Sequence, residues 1–171
     1  MSKAVLISIR PKWCEKIASG EKTIEVRKTR PKLETPFKCY IYCTQPKYPH
    51  EDFIVTEYPK PQFYGGGKVI GEFLCSYIIE FPVGASIDPV SAMATCLPMR
   101  AIHDYFGTKT GYGWCISHLR IYDKPRELSE FERPYECDGC DARWASECNA
   151  CHDNGKLKRP PQSWGYVEEL P

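Results

Sequence analysis

The first thirty residues alternate apolar and polar positions with two different periods. Residues 4–9, AVLISI, form a continuous apolar and β-branched run, which predicts a first strand. Pro11 then stands where proline favours the start of a helix, and apolar residues from Trp13 onward recur on one helical face. Gly20 supplies a C-terminal stop. We therefore expect a short helix over residues 11–19.

The segment KTIEVRK, residues 22–28, alternates with period two and predicts a second strand. Ile24 and Val26 would point to one face of that strand, and Glu25 and Arg27 to the other. Opposite charges within one short strand have two interpretations. They either pair across a solvated face or form the floor of a site.

The rest of the chain continues with short strands and one more helix. Gly71 interrupts a long apolar run and indicates a bulge. Six strands and two short helices without βαβ repetition favour the α+β class, with a mixed, curved sheet or small barrel. The further elements are strands over 37–44, 68–81, 112–122 and 163–169, a loop over 45–66, and a helix from Pro98 to Gly107.

Composition and charge narrow the functional classes. The chain has 171 residues, enough for one compact domain, and a formal net charge of +1, which gives no global argument for nucleic acid. Residues 1–32 carry nine Lys/Arg against three Glu, whereas residues 123–153 carry four against nine Asp/Glu. With no signal-peptide pattern and no membrane-length apolar run, we expect a cytoplasmic protein that does not enter membranes.

Four of the ten cysteines are clustered. Cys137 and Cys140 form one C-x-x-C pair, and Cys148 and Cys151 form another. Two such pairs complete a tetrahedral thiolate site, which predicts one structural zinc ion, with iron as the less favoured metal. Redox disulfides or free thiols are the alternative. The other six cysteines lie in apolar stretches and are typical of small buried hydrophobes.

The segment LISIRPKWCEKIASGEKTIEVRK resembles the opening of an ASCH (activating signal cointegrator homology) domain, a relative of the PUA RNA-binding fold. Its G-x-K-x-x-E-x-R pattern is matched by Gly20, Lys22, Glu25 and Arg27. GKVIGEF, YGWCISHLRIYDKPRELSEF and RPPQSWGYVEEL resemble later segments of small bacterial and phage-type ASCH proteins. The resemblance implies a single PUA-like domain over 1–171, built as a barrel of five or six strands. Residues 134–157 would be a four-cysteine zinc-binding insertion within it.

The resemblance also implies a cleft lined by this motif, and ASCH and PUA relatives are associated with RNA. We therefore expect a monomeric module that binds RNA or a modified nucleoside, with phosphate contacts and base stacking in or near the cleft. The residues expected to bind are Arg10, Lys12, Lys22, Glu25, Arg27, Lys28 and Trp164.

The alternative is an enzyme, because one ASCH branch removes the acetyl group from N4-acetylcytidine and another has ribonuclease activity. In the amidohydrolase pattern a lysine and a threonine act with a later glutamate. Lys22 matches the lysine, but Glu25 occupies the threonine position, where a carboxylate can serve as a general base and not as the hydroxyl nucleophile. Lys22 and Glu25 are thus the candidate catalytic residues, and Glu72 or Glu80 the candidate later glutamate.

Overall fold

A computed structural model describes residues 2–45, 66–134 and 155–171, together with the backbone of 53–54 and 63–64. Elements follow one another as strands and short helices of the α+β class. In chain order they are β1 (Lys3–Ile9), α1 (Pro11–Ala18), β2 (Ile24–Arg27), β3 (Phe37–Cys43), β4 (Phe53–Ile54), β5 (Phe63–Tyr64), β6 (Lys68–Phe81), α2 (Pro89–Thr95), α3 (Met99–Phe106), β7 (Gly111–Arg126) and β8 (Trp164–Glu168).

The described strands form a six-stranded mixed sheet in the order β2-β7-β6-β3-β1-β8 and a separate β4–β5 pair. β1 and β3 run parallel, and the other neighbours in the large sheet run antiparallel. The predicted mixed sheet is confirmed, but the prediction of a closed barrel is wrong. Among the described strands, β2 and β8 are the two edges and share no ladder.

Side-chain hydrogen bonds join the two edges where a strand ladder does not. Arg27 Nη1, at the end of β2, lies 3.3 Å from the carbonyl oxygen and 3.2 Å from the Oγ of Ser163, just before β8. Trp164 Nε1 donates to Thr29 Oγ1 at 3.0 Å. The backbone N–H of Lys32 donates to the Tyr166 hydroxyl at 2.7 Å. The short strand β2 and the residues that follow it are thus connected to β8 by side-chain hydrogen bonds, and not by a ladder of backbone hydrogen bonds.

The core lies on both faces of the sheet. α1 packs Cys14 and Ile17 against one face, where fully buried Trp114 makes an edge-on contact with Phe37 at 5.8 Å between ring centroids. Leu157 packs among the buried residues of the other face. The six cysteines outside the C-x-x-C pairs are free thiols, all buried except the half-buried Cys96. Their expected role as small hydrophobes is therefore confirmed for five of the six.

Most predicted elements lie within a residue or two of their observed bounds, although β7 continues four residues beyond its predicted end. One helix was missed, and the prediction of 45–66 as a loop was wrong where β4 and β5 pair. Gly71 forms the expected bulge, since both neighbouring ladders shift register beside it and a Cβ there would meet Arg120 O at 2.4 Å. α2 was not predicted because its short, small-residue segment lacks a clear apolar stripe. Its signal was the Asp88–Pro89 pair, in which Asp88 Oδ1 accepts from the Ser91 N–H at 2.8 Å.

The predicted insertion, 134–157, lies almost entirely outside the described residues, and the single-domain assignment stays a prediction. Its two flanks are joined, because the Arg133 N–H donates to the Gly155 carbonyl and the Leu157 N–H to the Phe131 carbonyl, both at 2.8 Å.

Within the part of the chain that the structure describes, no helix has the length and apolar character needed to cross a membrane.

Candidate functional site

A cleft of about 460 Å³ opens where the end of β1, α1, β2 and α3 meet the segment before β8. Its floor is β2, whose four residues are all buried. The solvated-face interpretation of Glu25 and Arg27 is therefore wrong, because the two side chains are 8% and 9% exposed. The lining residues are Ser8, Ile9, Arg10, Trp13, Lys22, Glu25, Val26, Arg27, Thr44, Leu97, Ala101, Tyr105 and Gln162.

Lys22 is held by three acceptors. Its Nζ donates to the carbonyl oxygens of Thr95 at 2.7 Å and Ile24 at 2.8 Å, and lies 3.3 Å from Glu25 Oε2. Thr95 is the last residue of α2, where unpaired helix carbonyls favour a cation. The missed helix thus positions the motif lysine. The ammonium therefore makes two hydrogen bonds to backbone carbonyls and one ion pair with Glu25.

Glu25 lies between two cations. Its Oε1 is 3.0 Å from Arg27 Nη2, and its other oxygen faces Lys22. Arg27 Nη2 also donates to the Ser8 carbonyl oxygen at 2.7 Å. The Nε of Arg27 is buried and has no hydrogen-bond partner among the described residues. The floor of the cleft therefore carries two cations, one carboxylate and one unused donor.

Two aromatic side chains that were not among the predicted site residues line the cleft. Trp13 on α1 is half-buried, with Lys12 Nζ 4.4 Å and Lys22 Nζ 5.3 Å from its ring centroid. Tyr105 on α3 is 40% exposed, and partial burial raises the pKa of its phenol. Apolar helical periodicity alone does not separate a core aromatic from one at the rim of a cleft.

Of the other expected binding residues, Arg10, Lys12 and Lys28 lie in or beside the cleft. Exposed Arg10 is among the lining residues. Lys12 and Lys28 are exposed, and Lys28 Nζ lies 4.9 Å from the Tyr105 ring centroid. Trp164 does not line the cleft, and its indole packs 5.8 Å from the Trp114 ring.

Glu72 and Glu80, the candidate later glutamates of the amidohydrolase pattern, do not line the cleft. Glu72 accepts from the Tyr122 hydroxyl at 2.6 Å, and Glu80 is 3.8 Å from exposed Arg30. Thr23, the nearest threonine to the motif position, is exposed and does not line the cleft. Among the described residues, the cleft therefore contains three cationic side chains and a single carboxylate, that of Glu25.

The predicted metal ligands Cys137, Cys140, Cys148 and Cys151 lie outside the described residues. Elsewhere, in 2–45, 66–134 and 155–171, no group of three or more His, Cys, Asp or Glu side chains is placed to hold a metal ion. The fit of zinc therefore rests on the chemistry of the donor set. Four thiolates suit zinc and leave no open coordination position.

Comparison with known proteins gives the fold. No protein-family model matches the sequence, and no curated protein matches it. The structure is similar to a crystal structure of ASCH from Zymomonas mobilis, with a TM-score of 0.62 and 20% identity over 97% of this chain and 88% of that chain. Two crystal structures of point mutants of that protein give TM-scores of 0.59 and 0.58 at 20% and 19% identity. They cover 98% and 97% of this chain, and 92% and 89% of theirs.

The matches span nearly the whole chain in both directions, so the protein has an ASCH-type fold. The resemblance read from the sequence is confirmed at this level.

Proposed function

We propose that this protein is an ASCH module that binds single-stranded RNA, or a modified nucleoside within it, through the cleft above β2. The observation that carries the proposal is the composition of the cleft: three cationic side chains and two aromatic rings surround one carboxylate. Phosphate favours the cations, and an unpaired base favours the aromatic faces.

The dimensions of the cleft agree with one nucleotide-sized ligand. Ligand pockets commonly enclose about 300–1,000 Å³, and the cleft is near the lower end of that range. Arg10 is exposed at the cleft and suited to a phosphate, while Trp13 and Tyr105 offer ring faces for stacking. The Arg27 Nε is a buried donor suited to a base or phosphate oxygen.

The contacts favour binding over the enzymatic alternatives. A lysine acting as nucleophile or base needs an available lone pair, but Lys22 donates to two backbone carbonyls and forms an ion pair with Glu25, contacts that favour the ammonium. Both oxygens of Glu25 face cations. Amidohydrolase and ribonuclease activities therefore remain the second choice, supported by the buried Lys22–Glu25 pair alone.

Binding of a short fluorescein-labelled single-stranded RNA, measured by anisotropy at low and moderate salt, tests the proposal. We expect Arg10→Glu to weaken binding about tenfold at low salt and to reduce the salt slope by about 0.7, the contribution of one contact on a single strand. Trp13→Leu should weaken binding with little change of slope, because stacking is not ionic. Arg120→Glu on β7 is the matched control, since Arg120 is exposed and outside the cleft lining.

No measurable binding by folded wild-type protein at low salt would reject the proposed function. Equal weakening by Arg10→Glu and Arg120→Glu would also reject the cleft as the site, since binding would then follow net charge alone. Thermal unfolding of each variant separates loss of binding from loss of folding.

We further propose that the two C-x-x-C pairs hold one structural zinc ion. Zinc would supply a tetrahedral cross-link for a segment that has few apolar residues of its own. The free thiols of the described cysteines suit a reducing compartment, and we propose that the protein acts there, in the cytoplasm, as a monomer. Light scattering of the purified protein tests the oligomeric state.

A further inference from the structure

A second groove, of about 470 Å³, lies beside β1 and β8 and is separate from the cleft. Its floor includes Leu6, Leu157 and Val167, which belong to the buried cluster on that face of the sheet. Its walls are the chain at 133–134 and the run from Arg159 to Pro161. The groove therefore has an apolar floor and walls that carry charge.

The charge is of one sign among the described lining residues. Arg133 and Arg159 are both exposed guanidinium groups, Lys3 joins them, and none of the lining side chains in the described part of the chain is acidic. Lys3 has Glu168 as its cross-strand neighbour, so the two arginines carry most of the argument. Guanidinium groups on an open groove suit phosphate oxygens, which they bind in bidentate geometry.

The second groove adjoins the cleft through neighbouring lining residues. Leu6 lines the groove and Ser8 lines the cleft, and residues two apart on β1 point to the same face of the sheet. Pro161 and Gln162, which adjoin in the chain, likewise line the groove and the cleft in turn. Ser8 holds this boundary, since its Oγ donates to the Pro161 carbonyl at 2.6 Å and its N–H to the Ser163 carbonyl at 2.9 Å.

We propose that the second groove binds the phosphodiester backbone of single-stranded RNA next to the nucleotide held in the cleft. The inference rests on the proposed function and extends it from one nucleotide to a strand. Arg133 and Arg159 contact phosphates, and the apolar floor contacts ribose or base surfaces. The ligand is therefore a strand that crosses the Pro161–Gln162 boundary, and a free nucleoside uses the cleft alone.

A length series tests this inference. A nucleoside monophosphate, a dinucleotide and progressively longer single-stranded RNAs are titrated against wild type and Arg133→Glu/Arg159→Glu. We expect wild-type affinity to rise with length and the double variant to lose that gain, with monophosphate binding unchanged. The salt slope for long RNA should fall by about 1.4, since each lost contact on a single strand contributes about 0.7.

Lys109→Glu/Arg120→Glu is the matched control, because it makes the same change in net charge at exposed positions outside both the cleft and the groove. Equal weakening by the two double variants would overturn the groove assignment. So would wild-type affinity that does not rise with length, even if the monophosphate binds, and in that case the proposed function stands. Absence of binding by every ligand would overturn both.

Discussion

The carboxylate of Glu25 lies 3.0 Å from the guanidinium of Arg27, and both side chains are more than nine-tenths buried. With Lys22 on the other carboxylate oxygen, the floor of the cleft contains two positive charges and one negative. Burying a charge without a counter-ion is costly, and this floor has one positive charge more than it has negative charges. A ligand oxygen that carries negative charge would offset that excess and would therefore be bound favourably. The same contacts hold the motif together and prepare it for an electronegative ligand.

Replacing the shared carboxylate should destabilise the fold. We expect Glu25→Gln to lower the free energy of unfolding by about 3–5 kcal/mol, because it leaves two buried cations without their counter-ion. Urea unfolding measures the change. Glu80→Gln is the control and should cost under ~1 kcal/mol, because the pair between Glu80 and Arg30 is exposed. A loss as small as the control's would mean that the buried network contributes little to stability.

The side-chain hydrogen bonds between the two edges of the sheet should stabilise β8 without affecting the strands in the middle of the sheet. Thr29→Val and Tyr166→Phe each remove one side-chain bond between the β2 end of the sheet and β8. We expect the free energy of unfolding of the double variant to be lower by about 1–3 kcal/mol, because each hydrogen bond contributes about 0.5–1.5 kcal/mol. Hydrogen exchange should quicken in β8 while β6, paired on both sides, keeps its protection. Uniform acceleration across all strands would indicate global destabilisation instead.

Local sequence patterns were enough to predict most of the strands and helices. The site was harder to predict, because it depends on contacts between residues that are distant in the sequence. Continuous and alternating apolar runs located the six strands of the large sheet, because strand formation follows local periodicity. Closure of the sheet depends on how two edges distant in sequence meet, which no local pattern encodes. The burial of Glu25 and Arg27 was likewise decided by what covers β2, not by the strand itself.

The aromatic part of the site was missed for a related reason. Trp13 and Tyr105 match an apolar helical stripe, and a stripe that faces a cleft has the same spacing as one that faces the core. α2 was missed although Thr95 at its end holds Lys22. The Asp88–Pro89 cap is the sequence signal of this helix.

Acid stability should depend on Glu169. Hydrogen bonds from Lys38 and then Ser2 hold the pKa of the Glu169 carboxyl below its ordinary value of 4.5. A carboxyl whose pKa is lowered by folding stabilises the protein above its unfolded pKa and loses that contribution as the pH falls through its folded pKa. We expect the free energy of unfolding of wild type to exceed that of Glu169→Gln by about 0.5–1 kcal/mol at neutral pH. This difference should disappear below pH 4.5, as the Glu169 carboxylate becomes protonated in the folded protein.

Exposed Glu15 on α1 provides the control for this experiment, as Glu15→Gln. Unfolding free energies measured across the acid range for the three proteins test the prediction. If the difference in unfolding free energy between wild type and Glu169→Gln stayed constant with pH, protonation of Glu169 would not be coupled to folding, and the prediction would be wrong.

Metal content should follow the C-x-x-C pairs. We expect protein purified without chelator to contain about one equivalent of zinc, as for other four-cysteine sites, measured by elemental mass spectrometry. Cys137→Ser/Cys151→Ser should lose the metal, because each pair then retains one thiolate. Cys96→Ser, at a half-buried cysteine of the described region, should retain it. Well under one equivalent in wild type, or iron in its place, would contradict the zinc assignment.

Turnover of N4-acetylcytidine distinguishes the binding module from the amidohydrolase. We expect metal-replete wild-type protein to bind the nucleoside without releasing acetate, because Lys22 is held as an ammonium by two carbonyls and Glu25, and Glu25 faces two cations. Acetate release and cytidine formation, followed by chromatography, measure the reaction. Release that vanished in folded Lys22→Met would assign Lys22 a catalytic role and make Glu25 the candidate general base toward water. Release that persisted in that variant would place the activity outside this pair, and the observed contacts would then stand as a purely binding and structural arrangement.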